Sequence, residues 1–135
     1  MPGFDGHAAR HLVATGAPWA ARAGYSRAVR VGNVVHVSGT VAVDEQGAIA
    51  SPGDPYGQAK RALEIIIRAL ADAGARPEHV VRTRMYVADA ARWEEVARAH
   101  GEVFADVRPA TTLVAVAGFV DPAILVEIEA EAIVD

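Results

Sequence analysis

The sequence predicts an α+β domain in the order ββαβαββ, with two helices packed on one face of a mostly antiparallel sheet. Three observations carry this. Apolar and polar residues alternate in VVHVSGTVAV, VVRTRMYV and LVEIEAEAIV, the period-two pattern of half-buried strands. Between these runs lie two stretches whose apolar residues recur at helical spacing. The first of these runs, VVHVSGTVAV, is separated from the preceding strand-like run YSRAVRV only by Gly32-Asn33, a two-residue loop suited to an antiparallel hairpin.

Taken in order, residues 1–24 are an N-terminal segment with the least pattern, ending in the loop-like GAPWAARAG, and the folded domain is expected over residues 25–135. YSRAVRV and VVHVSGTVAV form the hairpin, which Asp44 to Gly47 closes. Asp54 ahead of Pro55 places an N-cap residue before a proline at the first helical position. Ala59, Leu63, Ile66, Ile67 and Leu70 then share a face until Gly74 supplies a C-terminal stop. VVRTRMYV follows Arg76-Pro77 as a strand. Asp89 is the candidate N-cap of a second helix carrying Trp93, Val96, Ala97, His100, Val103 and Phe104 on one face. Pro109 introduces the strand ATTLVAVA, residues 118–123 make a loop, and LVEIEAEAIV is the last strand.

A chain of 135 residues with 52% hydrophobic content can bury one core, so a single domain is expected. The absence of cysteine removes disulfides, thiol nucleophiles and cysteine-containing zinc sites, leaving chemistry to hydroxyls, carboxylates, histidines, arginines and the backbone. A net charge of -4 without a basic tract argues against a nucleic-acid partner. No apolar run reaches the ~18 residues of a membrane span, and MPGFDGHAARH has no apolar signal core, so a cytoplasmic protein with no membrane partner is expected. His7 and His11 have the spacing of a metal pair, but no acidic third ligand follows on a credible helix, and no metal is expected.

The strand faces say more than the strand order. In the last strand Val126, Ile128, Ala130, Ala132 and Val134 point toward the helices, and Glu127, Glu129 and Glu131 point away. The same division sets Val81, Thr83, Met85 and Val87 against Arg82, Arg84 and Tyr86. It also sets Val35, Val37, Val41 and Val43 against His36, Ser38 and Thr40. Such a face is either the solvated side of an open sheet or a surface that meets other subunits and encloses a polar pocket. Three glutamates at alternate positions repel one another unless cations stand among them, and Arg82 and Arg84 are the natural partners.

The blocks YSRAV, VSGT, the first helix, VVRTRMYVAD, RPATT and LVEIEAEAIV, in that order over residues 25–134, resemble the reactive intermediate deaminase (RidA-like) family. The resemblance implies a chorismate-mutase-like fold and a homotrimer with inward-facing sheets and clefts between neighbouring subunits. It also implies cofactor-free hydrolysis of enamines and imines, such as 2-aminoacrylate, to keto acids and ammonia. Tyr25, Ser38, Gly39 and Glu127 match positions that line or order the cleft, the glutamate being associated with the hydrolytic water. Leu113 stands where some members have cysteine, a position whose backbone carbonyl helps to place water, and Ala97 stands where many have asparagine.

One departure matters most. The family pattern has an arginine after Pro-Ala that clamps the substrate carboxylate, whereas here Pro109-Ala110 is followed by Thr111. Removing one partner of a buried bidentate pair costs about 2–5 kcal/mol. A threonine hydroxyl suits a neutral carbonyl or hydroxyl instead, so the resemblance implies a divergent branch whose substrate lacks a carboxylate at that point. Two cations could replace the missing clamp: Arg84 either pairs a glutamate of the last strand or reaches the ligand, and Arg108 either bonds carbonyls at a helix end or takes the place of that arginine. His36, on the face of Ser38, is an acid–base candidate, while His79 and His100 read as loop and helix-face residues. The expected catalytic set is Glu127, Ser38 and His36; the expected small-molecule-binding set is Tyr25, Gly39, Arg84, Thr111 and Leu113. A pathway tautomerase or cyclase, or a non-catalytic metabolite-binding trimer, are the alternatives on the same fold.

Overall fold

The computed structural model describes residues 10–135, built from β1 (Arg10–Val13), α1 (Ala20–Ala23), β2 (Ala28–Val31), β3 (Val34–Val41), α2 (Pro55–Asp72), β4 (Val80–Val87), α3 (Trp93–Phe104), β5 (Ala110–Ala115) and β6 (Val126–Ile133). Single 3₁₀ turns at Pro77–His79 and Ala90–Arg92 lead into β4 and α3. The elements expected from periodicity are all present, so the α+β class stands. The strand β1 and the short α1 are additional; only Val13 of β1 is buried, so RHLV carries no alternation to read.

The strands lie in the order β1-β2-β3-β6-β4-β5. Every neighbouring pair is antiparallel except β4 and β5, which run parallel with α3 as their crossover. Gly32 is the first central residue of the β2–β3 turn at φ 59°, as a II′ hairpin requires. At α2, Pro55 occupies the first turn and Gly74, at φ 80°, ends the helix. Asp54 has the extended backbone of a cap but its carboxylate makes no capping hydrogen bond. Asp89 does cap, accepting from Ala91 N at 2.9 Å, although it caps the 3₁₀ turn ahead of α3 rather than α3 itself.

Both long helices cover one face of the sheet. Ala59, Leu63, Ile66 and Leu70 of α2 and Val96, Ala99 and Phe104 of α3 pack with Val35, Val37, Met85, Val87, Val126 and Ile128. Trp93 lies on the stripe of α3 but stays exposed at the helix's first residue. Among the described residues no helix is long and apolar enough to cross a membrane.

Two bulges correct the face assignments. Pairing between β4 and β6 shifts between Val80 and Arg82, so Val80 enters the core and Val81, expected there, is exposed. Pairing between β3 and β6 shifts between Val37 and Thr40. Thr40, expected on the polar face, is therefore 1% exposed in the interior, and Val41, expected inside, stands opposite Glu127. Strict alternation cannot anticipate an inserted residue.

Candidate active site

The β3 bulge falls at Ser38 and Gly39 and is laced to the segment entering β2. Ser38 N donates to Arg27 O at 2.9 Å, and Ser38 Oγ donates to Ser26 O at 2.7 Å. Glu127, near the start of β6, lies against Gly39: a Cβ there would overlap Glu127 Oε2 and come within 3.0 Å of its Cδ. The backbone of Gly39 is not left-handed, so glycine is needed here for space rather than for conformation. The phenol of Tyr25 is close enough to act electrostatically on Arg27 in the same neighbourhood. Four of the expected residues, Tyr25, Ser38, Gly39 and Glu127, thus gather at one end of the polar face.

Arg27 completes this cluster and was missed by the sequence reading. Its Nη1 donates to Gly39 O at 3.2 Å and to Thr40 Oγ1 at 2.9 Å, and its Nη2 donates to Thr15 Oγ1 at 3.1 Å. Burial lowers the guanidinium pKa, while Tyr25 and Glu127 pull it back up. The available signal was its place two residues after Tyr25, which puts both on one side of an extended segment. Glu127 is held above the ordinary carboxylate range, first by burial and then by the charge of Glu129, with Arg27 opposing both. Among the described residues no side chain donates a hydrogen bond to its carboxylate. A half-buried acid whose proton is held more tightly than usual, beside a fixed cation, is a candidate acid–base group.

The middle of the polar face is an ion-pair lattice. Arg84 Nη1 lies 3.1 Å from Glu129 Oε2 and 3.4 Å from Glu131 Oε2, and Tyr86 donates its hydroxyl to Glu129 Oε1 at 2.6 Å. Arg84 thus pairs the glutamates of the last strand, one of the two roles expected of it. Arg82, expected to share that task, instead donates from Nη2 to Thr112 Oγ1 at 2.8 Å, and its buried Nε has no partner. His36 faces Glu131 across the β3–β6 ladder, with Nδ1 3.7 Å from Oε2, and is not gathered with Glu127. Arg108 sits at φ 58° just beyond α3, its Nη1 donating to Ala105 O at 3.4 Å, as expected of a helix-end residue. His11 Nε2 lies 3.2 Å from Asp72 O; His7 falls outside the described residues.

Thr111 and Leu113 lie elsewhere. They belong to the edge strand β5, separated from β6 by β4, and Thr111 is in register with Thr83, itself opposite Ala130. Two strand spacings and three residues along β6 put Thr111 ~14 Å from Glu127. The two are also on opposite faces, since Thr111 Oγ1 is 2.8 Å from the buried Thr83 Oγ1 on the helix side. Leu113 is in register with Met85 and packs at the margin of the core. Two hollows of about 360 and 130 Å³ lie beside α2 and at the β4–α3 junction, and neither is lined by Glu127.

The family model described as Endoribonuclease L-PSP matches residues 15–134. An uncharacterized protein of Streptomyces coelicolor is 42% identical over 120 residues, covering 89% of each chain. The 3-aminoacrylate deaminase RutC of Acinetobacter baylyi is 33% identical over 104 residues, covering 77% of this chain and 82% of that one. A crystal structure from Mycobacterium tuberculosis, of a member of the YjgF/YER057c/UK114 family, superposes with a TM-score of 0.84 at 42% identity, covering 93% of this chain and 99% of that one.

Proposed function

This chain belongs to the reactive intermediate deaminase family, the group described as Endoribonuclease L-PSP, and we propose that it is a cofactor-free enzyme that hydrolyses a neutral imine or enamine to a carbonyl compound and ammonia. The observation that carries this reading is Glu127, half-buried against Gly39 with its pKa raised. The imine nitrogen takes a proton from solvent, and the Glu127 carboxylate takes a proton from water as the water oxygen adds to the C=N carbon, giving a neutral carbinolamine. Glu127 then passes its proton to the carbinolamine nitrogen; the C–N bond breaks as the C=O bond forms, the hydroxyl proton returns to solvent and ammonia leaves. An enamine enters after protonation at carbon. Ser38 and Gly39 hold polar atoms of the substrate, and Tyr25 closes the cleft.

The cleft is formed between copies of the chain in a homotrimer, where the Glu127 group of one copy meets the Thr111–Leu113 strand of the next. The ~14 Å and the sheet thickness between these groups in one protomer support an intermolecular site. The relative named as a 3-aminoacrylate deaminase supports the deamination class, while Thr111 in place of a carboxylate clamp supports a neutral substrate. The three glutamates of β6, with Arg84 engaged among them, disfavour a phosphodiester backbone on this face.

Light scattering tests the assembly and is expected to give about three times 14.2 kDa. Ammonia release is then followed from ethyl 3-aminocrotonate, a neutral enamine, and from 2-aminoacrylate generated in situ. Glu127→Gln is expected to lower turnover about 10²-fold or more with the trimer intact. Unchanged turnover in an intact Glu127→Gln trimer would remove the glutamate from the chemistry.

A further inference from the structure

The bulge of β3 at Ser38–Thr40, against which Glu127 rests, is held by one residue from another segment. Arg27 O accepts from Ser38 N at 2.9 Å, and Arg27 Nη1 donates to Gly39 O at 3.2 Å and to Thr40 Oγ1 at 2.9 Å. Arg27 therefore contacts all three residues of the bulge. Thr40 Oγ1 spends its one hydrogen on Ser38 O at 2.7 Å, and a guanidinium has no acceptor, so the direction of each of these bonds is fixed. The other end of the fork, Nη2, is tethered to Thr15 Oγ1 at 3.1 Å, an oxygen that also accepts from Ala17 N at 3.2 Å. Both arms of the guanidinium are thus pinned.

These bonds alone do not call for a cation. Among the described residues every hydrogen bond of the Arg27 side chain goes to a neutral oxygen, which a neutral donor would also satisfy. The carboxylate whose charge acts on Arg27 is that of Glu127. The ionisable groups around Glu127 come from three segments: Glu129 on β6 itself, Tyr86 in register with it on β4, and Arg27 ahead of β2. The β3 residues beside it, Gly39 and Val41, carry no ionisable group. Arg27 alone favours the ionised acid, against burial and Glu129. Hydrolysis as proposed above starts from that ionised form, because the carboxylate must take a proton from water.

We propose that Arg27 is a positioning residue for Glu127, bracing the Ser38–Thr40 bulge on which the carboxylate is seated and setting a fixed positive charge opposite its base form. This rests on the reading of Glu127 as the proton-transfer group and deepens it, assigning the place and the charge state of that group to one side chain. The two roles are separable by substitution. Lysine keeps the charge but has no fork to span Gly39 and Thr40. Glutamine keeps an amide donor but has no charge.

The test begins on the intact wild-type protein, with no substrate. The Arg27 ¹⁵Nε resonance is expected to show a step at the pH where the Glu127 ¹³C carboxyl titrates, and to lose that step in Glu127→Gln; an Arg27 signal blind to the titration would overturn the charge role. In Arg27→Gln the Glu127 titration is expected to move upward, and in Arg27→Lys to stay near wild type. An unmoved titration in Arg27→Gln would also overturn the charge role. For the brace, amide hydrogen exchange at Thr40 and Val41 is expected to quicken about tenfold or more in Arg27→Lys, as loss of hydrogen bonds from a charged donor implies. Unchanged exchange there would overturn the brace. In ammonia release from ethyl 3-aminocrotonate, the acidic limb of the pH profile is expected to move upward in Arg27→Gln and to return in Arg27→Lys, and a limb that ignores a shifted titration would detach Arg27 from the chemistry. Full turnover in Glu127→Gln would sink the reading of the glutamate while leaving the titration and exchange results standing, so the two fail separately.

Discussion

Replacing Gly39 by alanine separates the chemistry of the cluster from its stability. The backbone at Gly39 is open to any residue, and alanine in place of glycine inside a strand is intrinsically favoured by roughly 0.5–1 kcal/mol. The added methyl, however, would occupy the place of Glu127 Oε2 and approach Cδ to 3.0 Å and Cγ to 3.4 Å, its three nearest contacts. The far end of a flexible side chain yields before the strand does. Glu127 must swing aside by about 1 Å or more, a misplacement that costs on the order of 10²-fold in rate when orientation matters. Because burial is the first cause of its raised pKa, the displaced carboxylate regains water and titrates nearer its ordinary value. The assay is a ¹³C carboxyl titration of wild type and Gly39→Ala, with thermal melts and ammonia release on the same samples. Expected are a lower Glu127 pKa, a melting temperature within a few degrees of wild type, and a large loss of turnover. An unmoved Glu127 titration with full activity would refute the close approach as the reason for glycine.

Three further outcomes are expected. Glu127 binds its proton more tightly folded than unfolded, so it subtracts stability as pH rises from the unfolded value of about 4.3 through the folded one. Glu127→Gln should accordingly melt higher than wild type at pH 7, with the gap closing below about pH 4; a lower melting temperature at pH 7 would contradict this. Arg84→Ala leaves Glu129 and Glu131 without their cation, and since Glu129 already pushes the Glu127 pKa up, that titration should move further upward, while sedimentation reports whether the lattice also holds the assembly. Thr111→Arg should raise hydrolysis of 2-aminoacrylate relative to ethyl 3-aminocrotonate, and an unchanged ratio would show that the clamp position does not select substrate.

How far the sequence could be read follows from where local rules hold. The last strand was legible to single residues because it is central and paired on both sides, so its glutamates and its core residues alternate without interruption. The grouping of Glu127, Ser38, Gly39 and Tyr25 was legible through contiguous sequence blocks that match the family's, without any need to anticipate the bulge at Ser38 and Gly39. The exchange of Thr40 and Val41, and of Val80 and Val81, was not legible, since a bulge is a property of two strands together. Arg27 was hidden for a related reason: its partners Thr15, Gly39 and Thr40 come from three separate segments. His100 read correctly as a helix-face residue, but its bond to Thr83 depends on how α3 crosses back over β4.

The central position of β6 bears on how the protein acquires its shape. The β2–β3 hairpin and the β4–α3–β5 unit are each local in the chain and can form early. β6 joins them through pairings such as Val35 with Ala132, contacts of large sequence separation that are slow to close. Until it inserts, β3 and β4 each present an unpaired edge capable of pairing with another chain. Glu127 reaches Gly39 only in that same closing step, so a kinetic intermediate with two half-sheets would be both inactive and prone to aggregate. Substitutions that slow β6 docking should therefore lower the yield of soluble protein before they alter the properties of the molecules that do fold.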